Sequence, residues 1–403
     1  MAISEKVQAL SSAPYLGERA FRIKNLVGSL ASSWKNEMRI AFDHQIFCRQ
    51  IFGGVSRYFT RLASKLVISG EAIRVFAPVY CNQYLKELNR GVVNGFYFER
   101  SPFAASSIGT GFNHYLSRIQ IRSWQPQIIH ETYYSPKTIG TRGSAVFLTV
   151  YDMIHEKFPS EFSANDPTSR FKLTATKRAD HVICISESTR NDLLELFSLP
   201  EEKVSVVHLG YEPLGGAALP LSDTALDTKP YLLYVGARRG YKNFFRFLES
   251  ISISRLLSGF DVVAFGGGVF AADESRRIAE LGFRPGQVRH KCGNDHALGR
   301  CYSGAAAFVY PSLYEGFGLP PLEAMAFGCP VVSSNTSSMP EVIGDAGEFF
   351  NPTSLDDMRS AIERVVFYPT QRAVLRQRGA ARLQRFSWEA CAARTLESYR
   401  RLT

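Results

Sequence analysis

The chain of 403 residues has no run of apolar residues close to the roughly 18 needed for a helix that crosses a bilayer. Its first residues, MAISEKVQALSSAPY, lack the apolar core of a secretory signal peptide. Its seven cysteines are scattered and include no CxxC pair, which argues against a disulfide framework. These absences predict a reduced, cytoplasmic protein, and they leave open an association with the inner face of the cytoplasmic membrane.

Several catalytic signatures are absent as well. The eight histidines show neither HxxxH nor HExxH spacing and no DxD cluster occurs, so no metal site held by the protein is expected. Neither a GxSxG elbow nor a GxxxxGK[ST] loop is present. The sequence therefore disfavours a zinc enzyme, a serine hydrolase and a P-loop nucleotide hydrolase.

Positive charge is distributed unevenly along the chain. Residues 1–150 contain 18 basic and eight acidic residues, whereas residues 151–403 contain 29 of each, so the whole excess of +10 lies in the first part. Such a surface favours an anionic partner, namely an acidic ligand, a membrane surface or a nucleic acid. No basic motif interleaved with aromatic residues supports a nucleic acid. A basic surface that only maintains solubility is the plain alternative.

Apolar residues at helical spacing predict an amphipathic helix in an N-terminal extension, residues 1–37. The apolar stripe consists of Ile23, Leu26, Val27, Leu30 and Trp34, and Arg19, Arg22 and Lys24 flank it. Such a helix can lie in a bilayer interface or dock on its own protein. The sequence leaves both alternatives open.

From residue 38 onwards, short β-rich strings alternate with helical patterns, which predicts α/β domains with parallel sheets covered by helices. The predicted strands are MRIAFD, AIRVFAPV, QIIHE, AVFLTVYD and HVICIS, then PYLLYVG, DVVAFGG, AAFVYPS and CPVVSS. Residues 213–229, rich in Pro, Gly, Ser and Asp, predict a linker. We therefore expect one domain at 38–212, a second at 230–385, and a C-terminal helix at 386–403.

Helices are predicted between the strands, at 56–66, 188–198, 243–256, 272–282, 296–304 and 320–327. Ser188 is the predicted cap of the second of these helices, and Ser387 is the predicted cap of the C-terminal helix.

The most informative stretch is FVYPSLYEGFGLPPLEAMAFGCPVVSS, residues 308–334. A buried strand runs into a loop, and two prolines suit the first turn of the helix that follows. This arrangement presents the backbone amides of Gly316, Phe317 and Gly318 beside a helix N-terminus. Free N–H groups and the helix dipole favour an anion at such a place, typically a phosphate.

Two carboxylates bracket this loop, Glu315 before it and Glu323 in the first helical turn. Carboxylates are poor phosphate ligands, but they accept hydrogen bonds from sugar hydroxyls, as the acidic residue of dinucleotide folds does. The alternative is an ordinary strand–turn–helix in which Glu323 only complements the helix dipole.

Cations for a diphosphate have to come from elsewhere, because residues 301–350 contain five acids and no Lys or Arg. The loop VGARRGYKNF offers Arg238, Arg239 and Lys242 at the carboxyl end of a strand, where open α/β sheets bind ligands. One arginine and Lys242 could clamp a diphosphate and stabilise its charge as it leaves. A solvated surface turn is the alternative.

Two further loops are candidate parts of a site. In FGGVSRYF, Gly53 and Gly54 would let the backbone approach a phosphate. In TVYDMIHEKFP, Tyr151, Asp152 and His155 follow a strand, and histidine is the usual titrating group near neutral pH. A loop histidine with a purely structural role is the alternative.

Taken together, these segments resemble glycosyltransferase family 4, the retaining nucleotide-sugar transferases of GT-B fold. The Glu315–Glu323 spacing looks like that family's E-x7-E motif, and GARRGYKN looks like its diphosphate clamp. FDHQIFCRQIFGGVSRYF resembles the N-terminal glycine loop, and ICISESTRNDL, VVHLG and the closing FSW helix also fit. The likeness extends from residue 38 to about residue 400.

The resemblance implies roles for individual residues. Glu315 would contact the donor sugar, Glu323 the nucleotide ribose, and Lys242 with Arg239 or Arg238 the diphosphate. The remaining donor-site residues would be Gly53, Gly54, Lys291, Cys292, Leu298, Gly316, Phe317, Gly318 and Leu319. The C-terminal helix would cross back to the N-terminal domain.

One departure from the family concerns the sugar site. Many relatives carry a His-Asp pair where this chain has Tyr151 and Asp152, and whether His155 compensates is open. The implied catalytic group therefore comprises Glu315, Tyr151, Asp152 and His155.

The implied reaction is transfer to the front face of the donor sugar with retained configuration, without a metal or a cofactor. The N-terminal string looks most like enzymes of bacterial surface polysaccharides such as O-antigen, which makes GDP-mannose the first expectation for the donor and a lipid-linked glycan or an oligosaccharide the acceptor. Alternatives on the same fold are a nucleotide-sugar epimerase and a glycosyl phosphorylase. A non-enzymatic protein that binds anions or membranes is a further alternative.

Overall fold

The computed structural model describes residues 37–89, 91–99, 106–213, 229–238 and 240–403. The predicted helix in the N-terminal extension and most of the predicted linker at 213–229 lie outside the described residues.

Seven strands form the first sheet: β1 (Arg39–Phe42), β2 (Ala72–Tyr80), β3 (Val93–Tyr97), β4 (Ile128–Glu131), β5 (Ala145–Val150), β6 (His181–Cys184) and β7 (Val204–Val206). All neighbouring strands are parallel, in the order β3-β2-β1-β4-β5-β6-β7. The helices of this part are α1 (Gln45–Arg49), α2 (Gly54–Ile68), α3 (Ser107–Trp124), α4 (Ile154–Lys157), α5 (Thr168–Arg178) and α6 (Glu187–Phe197).

Six strands form the second sheet: β8 (Tyr231–Val235), β9 (Asp261–Phe265), β10 (Val288–Lys291), β11 (Ala307–Tyr310), β12 (Val331–Ser334) and β13 (Gly347–Phe350). They are again all parallel, in the order β10-β9-β8-β11-β12-β13. The helices are α7 (Phe244–Ser252), α8 (Ala272–Glu280), α9 (Asp295–Gly304), α10 (Leu319–Ala326), α11 (Met339–Ile343), α12 (Leu355–Phe367), α13 (Pro369–Leu383) and α14 (Trp388–Arg400).

Both sheets have the strand order of dinucleotide-binding folds. The order reverses between β1 and β4 in the first sheet and between β8 and β11 in the second. Open parallel sheets bind ligands at such a reversal, outside the carboxyl ends of the strands. The prediction of two parallel α/β units is confirmed.

All nine predicted strands are present, and the four strands that the sequence pattern does not predict are the edge strands β3, β7, β10 and β13. A strand at an edge is covered less completely, so its sequence need not be continuously apolar. β10, for example, reads VRHK, and β3 contains Gly95 because a Cβ there would lie 1.7 Å from the carbonyl oxygen of Ala77.

The predicted cap of α6 is wrong by two residues. Ser186, not Ser188, has the extended backbone of an N-cap, and its hydroxyl accepts a hydrogen bond from the N–H of Thr189 at 3.1 Å. The predicted cap of α14 is confirmed, because the hydroxyl of Ser387 accepts from the N–H of Ala390 at 3.1 Å.

Helix α14 follows the second sheet in the chain but packs on the first. Trp388 lies against Gly210, where a Cβ would come within 2.6 Å of the Trp388 Cα. Lys65 of α2 forms an ion pair with Glu389 at 2.6 Å. At the other end of the helix, the Tyr399 hydroxyl lies 2.6 Å from Nδ1 of His130 in the core of the first sheet.

His130 is fully buried, and burial lowers the pKa of its imidazole to about 3, so the ring is neutral at physiological pH. Its Nε2 lies 2.9 Å from the Thr149 hydroxyl. Both ring nitrogens are therefore satisfied inside the core, one of them by a residue 269 positions away in the chain.

Tyr399→Phe removes one of these partners and leaves a buried ring nitrogen unpaired. We expect the free energy of unfolding to fall by about 1–3 kcal/mol, measured by denaturant titration. Tyr115→Phe, at an exposed tyrosine of α3, is the matched control and should change it by less than about 0.5 kcal/mol. Equal stabilities of the two variants would contradict a role for Tyr399 in anchoring α14.

Candidate active site

The carboxyl edges of the two sheets face each other and touch at Gly316, in the loop between β11 and α10. A Cβ at Gly316 would lie 1.8 Å from the backbone oxygen of Tyr151, at the end of β5. The hydroxyls of Ser186 and Thr189, at the start of α6, both donate to the Gly316 oxygen, at 2.7 and 3.3 Å. The loop at the strand reversal of the second sheet therefore meets the carboxyl ends of β5 and β6 in the first sheet, at the border of the cleft between the two sheets.

Lys242 and Glu315 form an ion pair at the reversal of the second sheet. Lys242 ends the short turn Gly240–Lys242 after β8, and Glu315 lies in the loop after β11. Their Nζ and Oε1 atoms are 2.6 Å apart, and the two side chains are only 17% and 10% exposed. In such a sheltered place, charges act on a ligand more strongly than they do at a water-exposed surface.

Beside this pair, the chain presents a row of backbone donors. Within the described ranges, the N–H groups of Gly316, Phe317, Gly318 and Leu319 have no protein acceptor. Gly318 has a left-handed backbone, with φ of +111°, directly before α10. The row therefore ends at a helix N-terminus and suits an anion.

Two serines that the sequence reasoning missed hold this loop in shape. Ser338 is fully buried, and its hydroxyl lies 2.9 Å from the Glu315 oxygen and 2.7 Å from the Phe317 oxygen. The Ser337 hydroxyl donates to the Glu315 oxygen at 2.6 Å and accepts from the Glu315 N–H at 3.2 Å. The only sequence signal for them is the polar string SNTSS after β12.

Glu323 is the fifth residue of α10 and lies in its second turn, so its predicted position in the first turn is wrong, because the helix begins at Leu319. Its carboxylate accepts a hydrogen bond from the Tyr302 hydroxyl at 3.1 Å. Burial raises the pKa of its carboxyl, while Tyr302 and the charge of Arg57 act in the opposite direction. Arg57 belongs to α2 of the first domain, two turns or less from Gly53 and Gly54 at its start. The glycine loop and Glu323 therefore face each other across the cleft.

Of the two arginine candidates for the diphosphate clamp, the structure shows the contacts of Arg238. All five N–H groups of Arg238 are used by the Glu274 carboxylate and by the backbone oxygens of Gly266, Gly268 and Val269. Arg238 thus braces the loop GGG after β9 and has no donor left for a phosphate. Arg239 lies outside the described residues.

Lys291, Cys292 and Leu298 lie where β10 leads into α9, at the same carboxyl edge. Cys292 is exposed, whereas the other six cysteines are buried, as expected for small core residues. The backbone oxygen of Lys291 accepts from the Gly266 N–H at 2.9 Å, which joins this segment to the loop that Arg238 braces.

Tyr151 meets Gly316 through its backbone oxygen and Asp152 through its Cβ, whereas His155 does not join them. Burial raises the pKa of the Tyr151 hydroxyl well above its usual value, so this side chain stays protonated. The His155 ring stacks on Phe162 at 3.8 Å, and its Nε2 lies 3.8 Å from Asp166. Burial lowers the pKa of His155, and none of its contacts among the described residues involves Glu315 or Lys242.

A second polar cluster, also missed by the sequence reasoning, lies at the reversal of the first sheet. Asp43 accepts from the Thr132 N–H at 2.9 Å and from the Gln45 amide at 2.7 Å. Burial lowers the pKa of His44 to about 4 and raises the pKa of Glu131, which pairs with Arg178, to about 7. The signal for this cluster is the polar residues that directly follow β1 and end β4.

The described residues contain neither a cluster of metal ligands nor a helix that could span a membrane. No three or more His, Cys, Asp or Glu side chains gather there as ligands of a metal ion would. None of the described helices has the length and apolar character to span a bilayer.

Two family models match the chain, each over one of the two sheets. Residues 52–213 match Glycosyltransferase Family 4, and residues 222–382 match Glycosyl transferases group 1. Together they cover about four fifths of the chain.

Curated relatives include the O-antigen chain mannosyltransferase B of Escherichia coli, 33% identical over 230 residues, which are 55% of this chain and 60% of that protein. The O-antigen chain mannosyltransferase RfbU of Salmonella typhimurium is 27% identical over 225 residues, 55% of this chain and 61% of that protein. The matches thus span about three fifths of each relative.

Among solved structures, sucrose-phosphate synthase from Thermosynechococcus elongatus superposes with a TM-score of 0.69. Its sequence identity is 19%, and the match covers 91% of this chain and 99% of that one. The chain shares the GT-B fold with this structure and with other solved glycosyltransferases.

Gly316→Ala tests the contact between the two sheets. Its Cβ would collide with backbone that cannot rotate away, so we expect a loss of at least about 2 kcal/mol in the free energy of unfolding. Hydrogen exchange should rise at residues 151–153 as well as at 314–318.

The matched control is Gly54→Ala, because nothing lies within 4 Å of a Cβ there. As the first residue of α2, this position should tolerate alanine or gain about 0.5 kcal/mol. If Gly316→Ala behaved like Gly54→Ala, the close approach of the two domains would be refuted.

Proposed function

The chain belongs to the glycosyltransferases that these two family models describe, and on that premise we propose that it transfers a hexose from a nucleoside-diphosphate sugar to a sugar acceptor. The observation that carries the proposal is the Lys242–Glu315 pair beside the row of free N–H groups, at the strand reversal of the second sheet. This combination offers a place for an anion and, next to it, an acceptor for sugar hydroxyls.

In the proposed complex, the diphosphate lies against the N–H groups of residues 316–319 and receives positive charge from Lys242 and Arg239. Glu323 accepts the ribose hydroxyls, and the base lies near Lys291, Cys292 and Leu298. Glu315 holds the hexose, and Gly53 and Gly54 close over the donor from the first domain. Arg238 supports this site indirectly, because it braces the loop after β9.

The proposed reaction retains the configuration of the transferred sugar. The acceptor approaches the face from which the diphosphate leaves, and the departing phosphate oxygen takes the acceptor's proton. Cationic side chains and backbone dipoles stabilise the charge that develops on the leaving group, so the proposal includes no metal ion. The neutral His155 and the protonated Tyr151 are not needed as bases in this scheme.

Mannose is the proposed sugar and GDP-mannose the proposed donor. The support for mannose comes from the relatives, several of which are named mannosyltransferases. For the acceptor we propose a lipid-linked or soluble oligosaccharide of a bacterial surface polysaccharide. Its hydroxyl groups would meet the polar cluster around Asp43, His44 and Glu131, which contains a buried His44 Nδ1 without a protein partner among the described residues.

A thermal-shift panel of GDP, UDP, dTDP, CDP and ADP tests the nucleotide site, because a ligand that binds only the folded state raises its melting temperature. We expect GDP to give the largest shift. A larger shift with another diphosphate would overturn the proposed base, and no shift with any of them would overturn the nucleotide site itself.

Glu323→Gln should weaken nucleotide binding by roughly tenfold to a hundredfold, because two hydrogen bonds to a charged acceptor become bonds to a neutral one. The melting temperature without ligand should stay equal or rise at pH 7.5. The reason is that a carboxyl with a raised pKa in the folded state opposes folding once the pH exceeds its unfolded pKa.

The same raised pKa predicts that nucleotide affinity of the unmodified protein falls on acidification at a pH above the ordinary glutamate range, as Glu323 becomes protonated. The Glu323→Gln variant should not show this fall in nucleotide affinity on acidification. Identical pH profiles of the two proteins would remove Glu323 from the ribose site.

Lys242→Ala should lower the rate of sugar transfer by about 10²–10³-fold, since a preorganised charge next to the leaving group is lost. Arg276→Ala, at an exposed cation of α8, is the control and should leave the rate unchanged. A rate for Lys242→Ala within twofold of the control would contradict the proposed clamp.

A further inference from the structure

Helix α3 buries two polar side chains, Asn113 and Ser117, together with the apolar Ile121, and it exposes a row of large apolar side chains. Ile108, Phe112, Tyr115 and Ile119 follow one another at spacings of four, three and four residues, and each is between 44% and 77% exposed. That spacing places all four on one face. A helix that only covers a sheet normally has a polar outer face.

The inner face of α3 explains how this orientation is held. Asn113 is fully buried and exchanges two hydrogen bonds with the backbone of Val79 in β2, at 2.8 and 3.1 Å. Ser117, also buried, donates to the Phe76 oxygen at 2.9 Å. These bonds fix the rotation of the helix, so its apolar face cannot turn towards the core.

Two further exposed apolar residues lie in and just after the edge strand β3, next to the strand that holds α3. Val79 pairs with Phe96 of the edge strand β3, and Phe96 is 76% exposed. Phe98, just after that strand, is also exposed. Large exposed apolar side chains gathered on one part of a surface mark a place where a monomeric protein meets a partner or a membrane.

At its C-terminal end, α3 borders a shallow depression that is rich in arginine. Arg122 of α3, Arg39 at the start of β1 and Arg142 line it, together with Gln125, Gln127 and neighbouring backbone. In the described part of the chain, no acidic side chain forms an ion pair with any of the three arginines. The sequence from residue 100 to residue 130 contains three arginines and no Asp or Glu.

We propose that the α3 face, defined as Ile108, Phe112, Tyr115 and Ile119 with Arg39, Arg122 and Arg142, docks on the surface of an anionic phospholipid bilayer. Aromatic and aliphatic side chains would enter the boundary between headgroups and acyl chains, and the arginines would contact lipid phosphates. Charge complementarity favours this occupant over a second copy of the chain, whose matching face would bring like charges together.

The docking rests on the proposed function in one respect, the location of the acceptor. Helix α3 begins after the carboxyl end of β3, on the edge of the first sheet that borders the cleft, and its 18 residues extend about 27 Å away from that edge. A bilayer that lies along α3 therefore meets the cleft at one end of the helix. A lipid-linked acceptor in that bilayer would present its sugar there.

The test is co-sedimentation of the full-length protein with phosphatidylcholine vesicles that contain phosphatidylglycerol. Phe112→Glu with Ile119→Glu should lower the bound fraction at least about fivefold, and Arg122→Gln with Arg142→Gln should lower it about threefold or more. The matched control is Ile253→Glu with Leu256→Glu, at two exposed apolar residues of the second domain, and it should bind like the unmodified protein.

Three results would overturn the proposal: unchanged binding of both α3 variants, equal loss in the control, or binding that is as strong on pure phosphatidylcholine. A fourth would be loss of binding in Leu26→Glu with Leu30→Glu while the α3 variants still bind, since the N-terminal extension would then be the membrane contact. A dimer that the α3 variants dissociate, by light scattering, would identify a second copy as the occupant instead.

Nucleotide thermal shifts of the same variants, recorded without vesicles, separate this proposal from the proposed function. With nucleotide, the α3 variants should show the same rise in melting temperature as the unmodified protein, because none of the changed residues belongs to the nucleotide site. Vesicle binding without any nucleotide shift would leave the α3 face in place and overturn only the enzyme activity.

Discussion

The contact between Gly316 and the backbone of Tyr151 is the constraint on which the cleft depends. It brings the carboxyl edges of two parallel sheets so close that no side chain fits between them. Ser186 and Thr189 donate from the start of α6 to the same glycine. The loop that offers free N–H groups is thereby held from the opposite domain, and its shape depends on how the domains are closed.

A second link lies farther along the same interface. The Glu341 carboxylate of α11 accepts from the N–H of Glu187 at 2.9 Å and lies 2.6 Å from Nε2 of His208. An anion at the N-terminus of α6 is favoured by the helix dipole as well as by the hydrogen bonds. These contacts and α14 join the two domains in addition to the contact at Gly316.

Charge is divided between the two domains according to what each has to bind. In the proposed complex the second domain needs few cations, because the diphosphate would meet backbone donors and Lys242 in a sheltered place. The excess positive charge of residues 1–150 is therefore available for another anion, and part of it lies at the arginines beside α3. The linear charge count indicated that such a surface exists, but not that an outward-facing apolar helix adjoins it.

The amino-acid sequence by itself determined the two parallel α/β units, all nine inner strands and the loop from Glu315 to Glu323. Those features depend on local periodicity, turn residues and short spacings, which the chain displays directly. It did not determine the four edge strands, the cap at Ser186, the bracing role of Arg238 or the buried serines under the loop. Only the tertiary structure decided these, because Arg238 depends on Glu274, Ser338 on Glu315, and the outward rotation of α3 on Val79, all far away in sequence. The Ser186 hydroxyl caps α6 locally, but it also donates to the distant Gly316 oxygen. The chemical groups of a side chain determine which hydrogen bonds and ion pairs it can form. The fold determines which of the possible partners lies close enough to form them.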